Sequence, residues 1–532
     1  MKLKDITNIL QRFLFLIFWM ITGYMAGDSG MGFFFAATVI YHFLYLLFLS
    51  AISDTIAKLV SARKSKGFHD NAQKVFYFGV ATSIGIGLFF GLILGLGGMN
   101  IMTAIYGYSI PSSILVFYGL FFFITSINNC LGGYAKGLGY GRYVIFADLA
   151  QFVLLIIFAP VIIKKMTQYG IKVSYLLKNS LFTNLDGAIG AIITQCGALA
   201  ISTIVIIVLT MFIHSSAPMD SAVRGINNKR TFVMAYVTTT LNNIIDKMGL
   251  VLALLTLTIM YVKAGAGYQA DTNELFTTLG VFAGKYISVL AVPLILFSEY
   301  VSRERKRIRT EYNHDEHNML RLRAGNLLKN TLYMMIPATA TIIILSKPIV
   351  YIFFGGKMSL GATLVAKGGI VLILIAISSS CRAMLRAVEL DIYAAVSILA
   401  GYVAMFIFML TSISSGLNIN LMVYSLIIFY LIQAAVTAFL IYRMIDVYII
   451  DIAIKAGKVL AATLCMGIVM AIIDKLFVLN AILLPITVII GYVVYFVVIG
   501  IIQGVNEKEL KSLQGTLTYY PTYIVLNILG NR

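Results

Sequence analysis

Long apolar runs separated by short polar segments dominate the chain, and the runs have the length that a bilayer demands. Residues 75–98, 187–213 and 480–503 contain no Asp, Glu, Lys or Arg, and 391–411 contains only Asp391. At 1.5 Å per residue, about 20 such residues cross the ~30 Å hydrocarbon core as a helix. Within lipid, only a helix or a closed barrel satisfies the backbone polar groups. A barrel reads as ten-residue segments of alternating polarity, which this chain lacks. The pattern predicts about fourteen helical spans, centred near residues 18, 46, 86, 123, 152, 200, 247, 287, 341, 373, 402, 430, 462 and 491. The fold class is all-α and polytopic.

Composition agrees. Of the 532 residues 60% are hydrophobic and 12% charged, whereas soluble domains carry roughly a quarter charged residues. The net charge of +18 is spread over many loops, which does not suit a nucleic-acid surface. Instead it sets topology. With the N-terminus inside, most of the 40 Lys and Arg fall on the cytoplasmic side. That places both termini in the cytoplasm of a multi-pass protein of the cell membrane and makes membrane lipids its neighbours. Lys164, Lys165, Lys172 and Lys178 run against the bias. Lys2, Lys4 and Arg12 precede the first span as in a signal peptide, but no small-residue cleavage site follows, so the span is read as a retained helix. Cys130, Cys196, Cys381 and Cys465 lie in or beside spans and read as small buried residues, not as a disulfide framework.

Self-comparison exposes a repeat. Met102–Gly107 returns as Val350–Gly355, and Gly32 as Gly280, both shifted by about 248 positions. The basic helix end from Asp54 to Lys74 reappears from Glu299 to Lys329, and Asn129-Cys130 matches Ser380-Cys381. An even number of spans per repeat gives both halves one orientation, and parallel repeats of this kind mark transporters. The expected domains are a six-helix lobe at 1–220, a second at 221–445, and an extra helix pair with a tail at 446–532. The Gly87, Gly91 and Gly95 series lies within a span and reads as tight helix packing.

The residues Ile52-Ser-Asp-Thr-Ile-Ala-Lys-Leu-Val60, Lys66-Gly-Phe68, Gly133-Tyr-Ala-Lys-Gly137 and Ser346-Lys-Pro-Ile-Val-Tyr-Ile-Phe-Phe-Gly355 carry a resemblance along nearly the whole chain. The arrangement resembles the multidrug/oligosaccharidyl-lipid/polysaccharide (MOP) exporter superfamily, in particular its lipid II flippase and stage V sporulation protein B branch. That resemblance implies a MATE-like V of two six-helix lobes. It also implies flipping of a polyprenyl-pyrophosphate-linked saccharide by alternating access. Lipid II flippases carry several arginines along their first two helices. Here the first span has Arg12 and the second has Lys58, which points to the broader substrate class.

A charge inside a span costs about 3 kcal/mol at the membrane centre, so such residues are functional candidates. Asn8 precedes Arg12 by four positions, as Asn243 precedes Lys247, and each pair shares a helix face. Arg12, Lys58, Lys247, Lys285 and Asn243 are candidates for holding an anionic headgroup, against the alternatives of topology signals and snorkelling side chains. Lys367 reads as reaching the outer surface. Asp148, Asp246 and Glu299 are candidates for binding a coupling proton or sodium ion, or for pairing with a lysine. His42 reads as a packing residue.

His314-Asp-Glu-His317 has metal-capable side chains but sits in a charged loop without the zinc-protease order, so no metal site is expected. No catalytic residue and no cofactor are called for, and a monomer is expected. The competing readings are a multidrug/cation antiporter, a polyprenyl-phosphate transferase and a non-transporting scaffold. An antiporter favours acidic or aromatic cavity residues. A transferase needs clustered carboxylates or histidines at the membrane edge, which are missing from the sequence.

Overall fold

The computed structural model describes residues 3–108, 113–215, 228–355, 360–414, 416–505 and 507–528, save Gly515 and Leu517. For 3–5, 99, 213–215, 246, 449, 507 and 508 only the backbone is described. Two compact units share the chain: Leu10–Gly284, and Lys285–Arg532 with Met1–Ile9.

The first unit opens with α1 (Leu3–Phe48), which is interrupted at Gly27, where φ 74° and ψ 171° suit only glycine. The chain reverses there. Sixteen residues of straight helix would separate Phe18 and Phe34 by about 24 Å, yet their ring centroids lie 6.3 Å apart, and those of Trp19 and Phe34 5.1 Å. Then follow α2 (Ile52–Lys64), α3 (His69–Tyr106), α4 (Ser113–Gly137), α5 (Gly141–Leu177), α6 (Leu181–Ser215), α7 (Asn228–Gly267) and α8 (Thr272–Val281). Rings of Tyr41, Tyr118, Phe121, Phe122 and Phe90 join α1, α3 and α4, and Thr38 and Tyr118 satisfy each other's hydroxyls within this core. The last two helices follow the repeat junction in sequence and pack in this unit. Asn228 at the start of α7 accepts from buried Arg63 (3.0 Å) and donates to Asn71 (3.0 Å), which ties α7 to α2 and α3. Meanwhile α8 crosses the second half of α1, where Phe33 and Phe276 stack at 4.2 Å.

A π-helical turn, Phe282–Ile287, joins α8 to α9 (Ser288–Asn313), and the border between the units falls inside it. The second unit continues with α10 (His317–Ile344), α11 (Ser346–Phe354), α12 (Leu360–Gly368), α13 (Val371–Ala387), α14 (Asp391–Ile413) and α15 (Asn420–Ile445). The helix pair α16 (Ile449–Leu476) and α17 (Leu483–Ile501) packs on α10 through a core of Tyr333, Met466, Met470, Tyr495 and Ile499. Two short helices, α18 (Glu507–Ser512) and α19 (Tyr519–Ile528), close the chain. They are held by buried polar contacts. The Lys455 ammonium pairs with Glu509 at 2.8 Å, both side chains less than a tenth exposed, and also donates to the Gly504 carbonyl. Lys329 stands 3.5 Å from Glu509 and 3.6 Å from Asp451. Asn330 donates to Ser512 (2.6 Å), and Tyr333 and Thr522 share a 2.6 Å hydrogen bond.

Among the described residues, twelve helices are long and apolar enough to cross a membrane, and the bent pair α12–α13 makes a thirteenth. One of the twelve, Ile6–Lys64, holds the reversal at Gly27 and so makes two passes. The total is in line with the expected count of about fourteen.

The repeat reappears in the backbone of the turns. In the α2–α3 turn Phe68 N–H donates to Arg63 O, and His69 N–H to Gly67 O. In the α9–α10 turn, 248 residues on, Glu316 donates to Glu311 and His317 to Asp315. Gly67 and Asp315 both have positive φ there. The α4–α5 turn likewise matches the α13–α14 turn at a shift of 250, with Leu138 to Tyr134 and Tyr140 to Ala135 echoed by Val388 to Met384 and Leu390 to Leu385. Gly32 and Gly280 meet within the first unit. A Cβ on Gly32 would strike the Phe276 carbonyl, and one on Gly280 would strike that of Asp28, which is the position 248 before Phe276. Symmetry-equivalent backbones therefore touch where only glycine fits.

Candidate functional site

The sequence candidates divide between the two units. In the first unit a polar cluster surrounds the three-residue break between α1 and α2. Among the described residues the break leaves the Ser50 carbonyl without a backbone partner, while Leu49 O accepts from Ile52 N–H at 3.2 Å, and side-chain amides complete the set. Asn129 of α4 donates to Leu49 O (3.3 Å), and Asn243 of α7 donates to Ser50 O (3.2 Å) and Oγ (3.3 Å). Tyr45, one turn before the break, lies within electrostatic reach of Asn129, Asp54 and Asp148. Asp148, half-buried on α5, also feels the Lys136 ammonium of α4. The structure thus brings Asp148 and Asn243 to one neighbourhood, with Tyr45, Asn129 and Lys136 as additions the sequence did not single out as site residues. Helix breaks attract such amides because orphan carbonyls need donors, a signal hidden in sequence until the break is known.

The other first-unit candidates sit elsewhere. Arg12, Lys58 and Lys247 are exposed on α1, α2 and α7. Lys247 opens the apolar stretch Lys247–Gly267. The side chain of Asp246 lies outside the described residues. His42 is half-buried and its Nδ1 lies 3.0 Å from the Thr38 carbonyl one turn back, a packing arrangement.

In the second unit Lys285 occupies the π-helical turn, half-buried. Such turns shift the helical phase locally, re-aim a side chain and concentrate at functional sites. Its neighbour Tyr286 is buried and donates to Gly368 O at 3.1 Å, which fixes the turn against α12. Glu299 is half-buried on α9, and Lys367 is exposed at the end of α12. Two further polar groups inside spans went unremarked as site residues. Arg382 on α13 lies near Cys381 and Tyr430. Gln433 on α15 is fully buried, and both its amide atoms lack a hydrogen-bond partner. Arg382 is legible in the sequence as an arginine in an apolar run, directly after the Ser380-Cys381 repeat match. Among the described residues no three His, Cys, Asp or Glu side chains are grouped to hold a metal, and His314 and His317 lie exposed in the α9–α10 turn region.

No family model matches the chain, and no curated protein does. Solved structures do. The chain is similar to an inward-facing multidrug resistance MATE family transporter of the MOP superfamily, with a TM-score of 0.63 and 14% identity over 84% of this chain and 95% of that one. It is similar to the lipid II flippase MurJ in an inward closed conformation, with a TM-score of 0.56 and 15% identity over 93% of this chain and 97% of that one. A MOP superfamily transporter from Pyrococcus furiosus, described as having a binding pocket of reversed polarity, matches with a TM-score of 0.52 at 12% identity over 83% and 94%. This multi-pass membrane chain therefore shares the fold of these solved transporters.

Proposed function

We propose that this protein is a flippase that moves a polyprenyl-pyrophosphate-linked oligosaccharide across the cytoplasmic membrane by alternating access of its two repeat halves. The observation that carries the reading is the reach of the likeness. The match to the lipid II flippase takes in 93% of the chain and that to the multidrug transporter 84%. The difference, 9% of 532 residues or about 48, is close to the helix pair from Ile450 to Ile501. An extra pair of helices beyond two six-helix lobes suits a substrate with a long lipid tail.

The charge of the candidates supports the same reading. Arg12, Lys58, Lys247 and Lys285, joined now by Arg382, are cations suited to a pyrophosphate, whose oxygens take charge-assisted hydrogen bonds. Asn243 acts here as a positioning residue for the α1–α2 break. The half-buried Asp148, beside Tyr45 and Lys136, and Glu299 are candidates for the coupling ion, as is Asp246. Asp148 is also the observation that favours the second reading, a multidrug/cation antiporter.

The test is flipping of a fluorescent undecaprenyl-pyrophosphate saccharide in proteoliposomes, with wild type compared with Lys247→Ala and Lys285→Ala. Loss of one phosphate-directed cation is worth about 1.5–3 kcal/mol, so activity should drop at least about tenfold. If wild type moves no saccharide but drives proton- or sodium-coupled efflux of an organic cation, the antiporter reading replaces this one.

A further inference from the structure

We propose that a cleft at the far end of the second unit binds the phosphate of an anionic membrane lipid. The cavity, about 430 Å³, lies among α11, α12 and the end of α16, and its polar lining is Ser346, Lys347, Thr363, Asp474 and Lys475. That volume falls in the range of small-molecule sites.

Its depth follows from helix geometry. Lys455 belongs to the buried ionic cluster at one end of α16, and Lys475 lies 20 residues further along the same helix. Twenty residues rise about 30 Å, the thickness of the hydrocarbon core. The cleft therefore stands at the headgroup level of the leaflet opposite that cluster. Its lips are apolar and outward-facing, with Tyr351 62%, Leu476 70% and Val478 91% exposed, as acyl chains require.

The charge is unbalanced in the direction of an anion. The lining carries two ammoniums and one carboxylate, and Asp474 and Lys475 are successive residues, which do not face each other on a helix. Among the described residues neither Lys347 nor Lys475 is in an ion pair. The two exposed ammoniums line the cleft together with the Ser346 hydroxyl, a donor set that matches phosphate oxygens. Lysines at this end also run against the concentration of basic residues at the other, so a local anion gives them a role.

This site is independent of the transport reading, and its test uses the whole protein in nanodiscs. Native mass spectrometry would compare retained phosphatidylglycerol with phosphatidylcholine, and a photoreactive phosphatidylglycerol would map the contact. Phosphatidylglycerol should be retained in preference and should crosslink to segments 346–366 and 474–479. A surface lysine is worth about fivefold toward anionic lipid, so Lys347→Gln and Lys475→Gln should each weaken retention about fivefold and the pair about 25-fold. The double Arg variant should bind as wild type, which separates charge from folding. Equal retention of the two lipids, or a Gln pair that retains phosphatidylglycerol like wild type, overturns the proposal. Displacement of the lipid by millimolar inorganic phosphate also overturns it, by assigning the cleft to a soluble anion.

Discussion

Single residues decide whether the close contacts hold. Gly32 and Gly280 meet through backbone alone, so a methyl group at either must push a carbonyl aside. Overpacking of this kind costs about 1–3 kcal/mol. Gly32→Ala should therefore lower the melting temperature in detergent. Gly95→Ala, on a helix surface with open space around it, should leave it unchanged or raise it slightly. Equal effects at the two positions would remove the steric argument. The buried Lys455–Glu509 pair makes the opposite kind of demand. Removing one partner leaves a charge stranded away from water, worth about 3–5 kcal/mol, so Glu509→Leu should destabilise strongly. Lys455→Met combined with Glu509→Leu should recover much of the loss in the same melting assay. The glycine pair was visible in the sequence as a repeat at fixed shift. The ion pair was not, because its members are 54 positions apart and each reads as an ordinary topology charge.

Elements show the same division between what pattern reveals and what packing hides. Apolar run length marks where helices lie, and the turns between α2 and α3 and between α9 and α10 fall where the repeat puts them. Hydropathy is blind to the π-helical turn at Phe282–Ile287, since one extra residue within a helix leaves the average unchanged. A π-bulge behaves as a one-residue insertion, so deleting Ala283 should restore α-helical phase on both sides while moving Lys285 out of its present aim. The expected result is a protein that melts near the wild-type temperature but has lost the saccharide flipping proposed above. Normal transport by the deletion variant would deny the turn a function. Truncation after Gly504 removes Glu509, Ser512 and Thr522 together, and should destabilise the α10–α16 contact more than any of the three single changes, as read by thermal melting.

At the scale of the whole molecule, run lengths and the repeat shift make the fold class legible in the sequence. The candidate site was less readable. Asp148 and Asn243 share a neighbourhood only because α1 and α2 are broken at residues 49–51, and no local pattern announces that break. Counting passes gives a topology that labelling can check. Five passes separate the N-terminus from Asn179, and eight separate it from His314. Asn179→Cys should react with an impermeant maleimide from the side opposite His314→Cys in a cysteine-free background. Labelling of both from one side would break the parallel repeat.

The reversal at Gly27 bears on how the chain is made. One non-helical residue separates the first two crossings, and the polar step beside it is only Asp28-Ser29, too short to dwell at the far surface while the second crossing is synthesised. The aromatic contacts of Phe18 and Trp19 with Phe34 close across that single residue. The two segments must therefore enter the bilayer together as a preformed hairpin, and the insertion machinery has to accept some 45 residues as one unit before either end is committed.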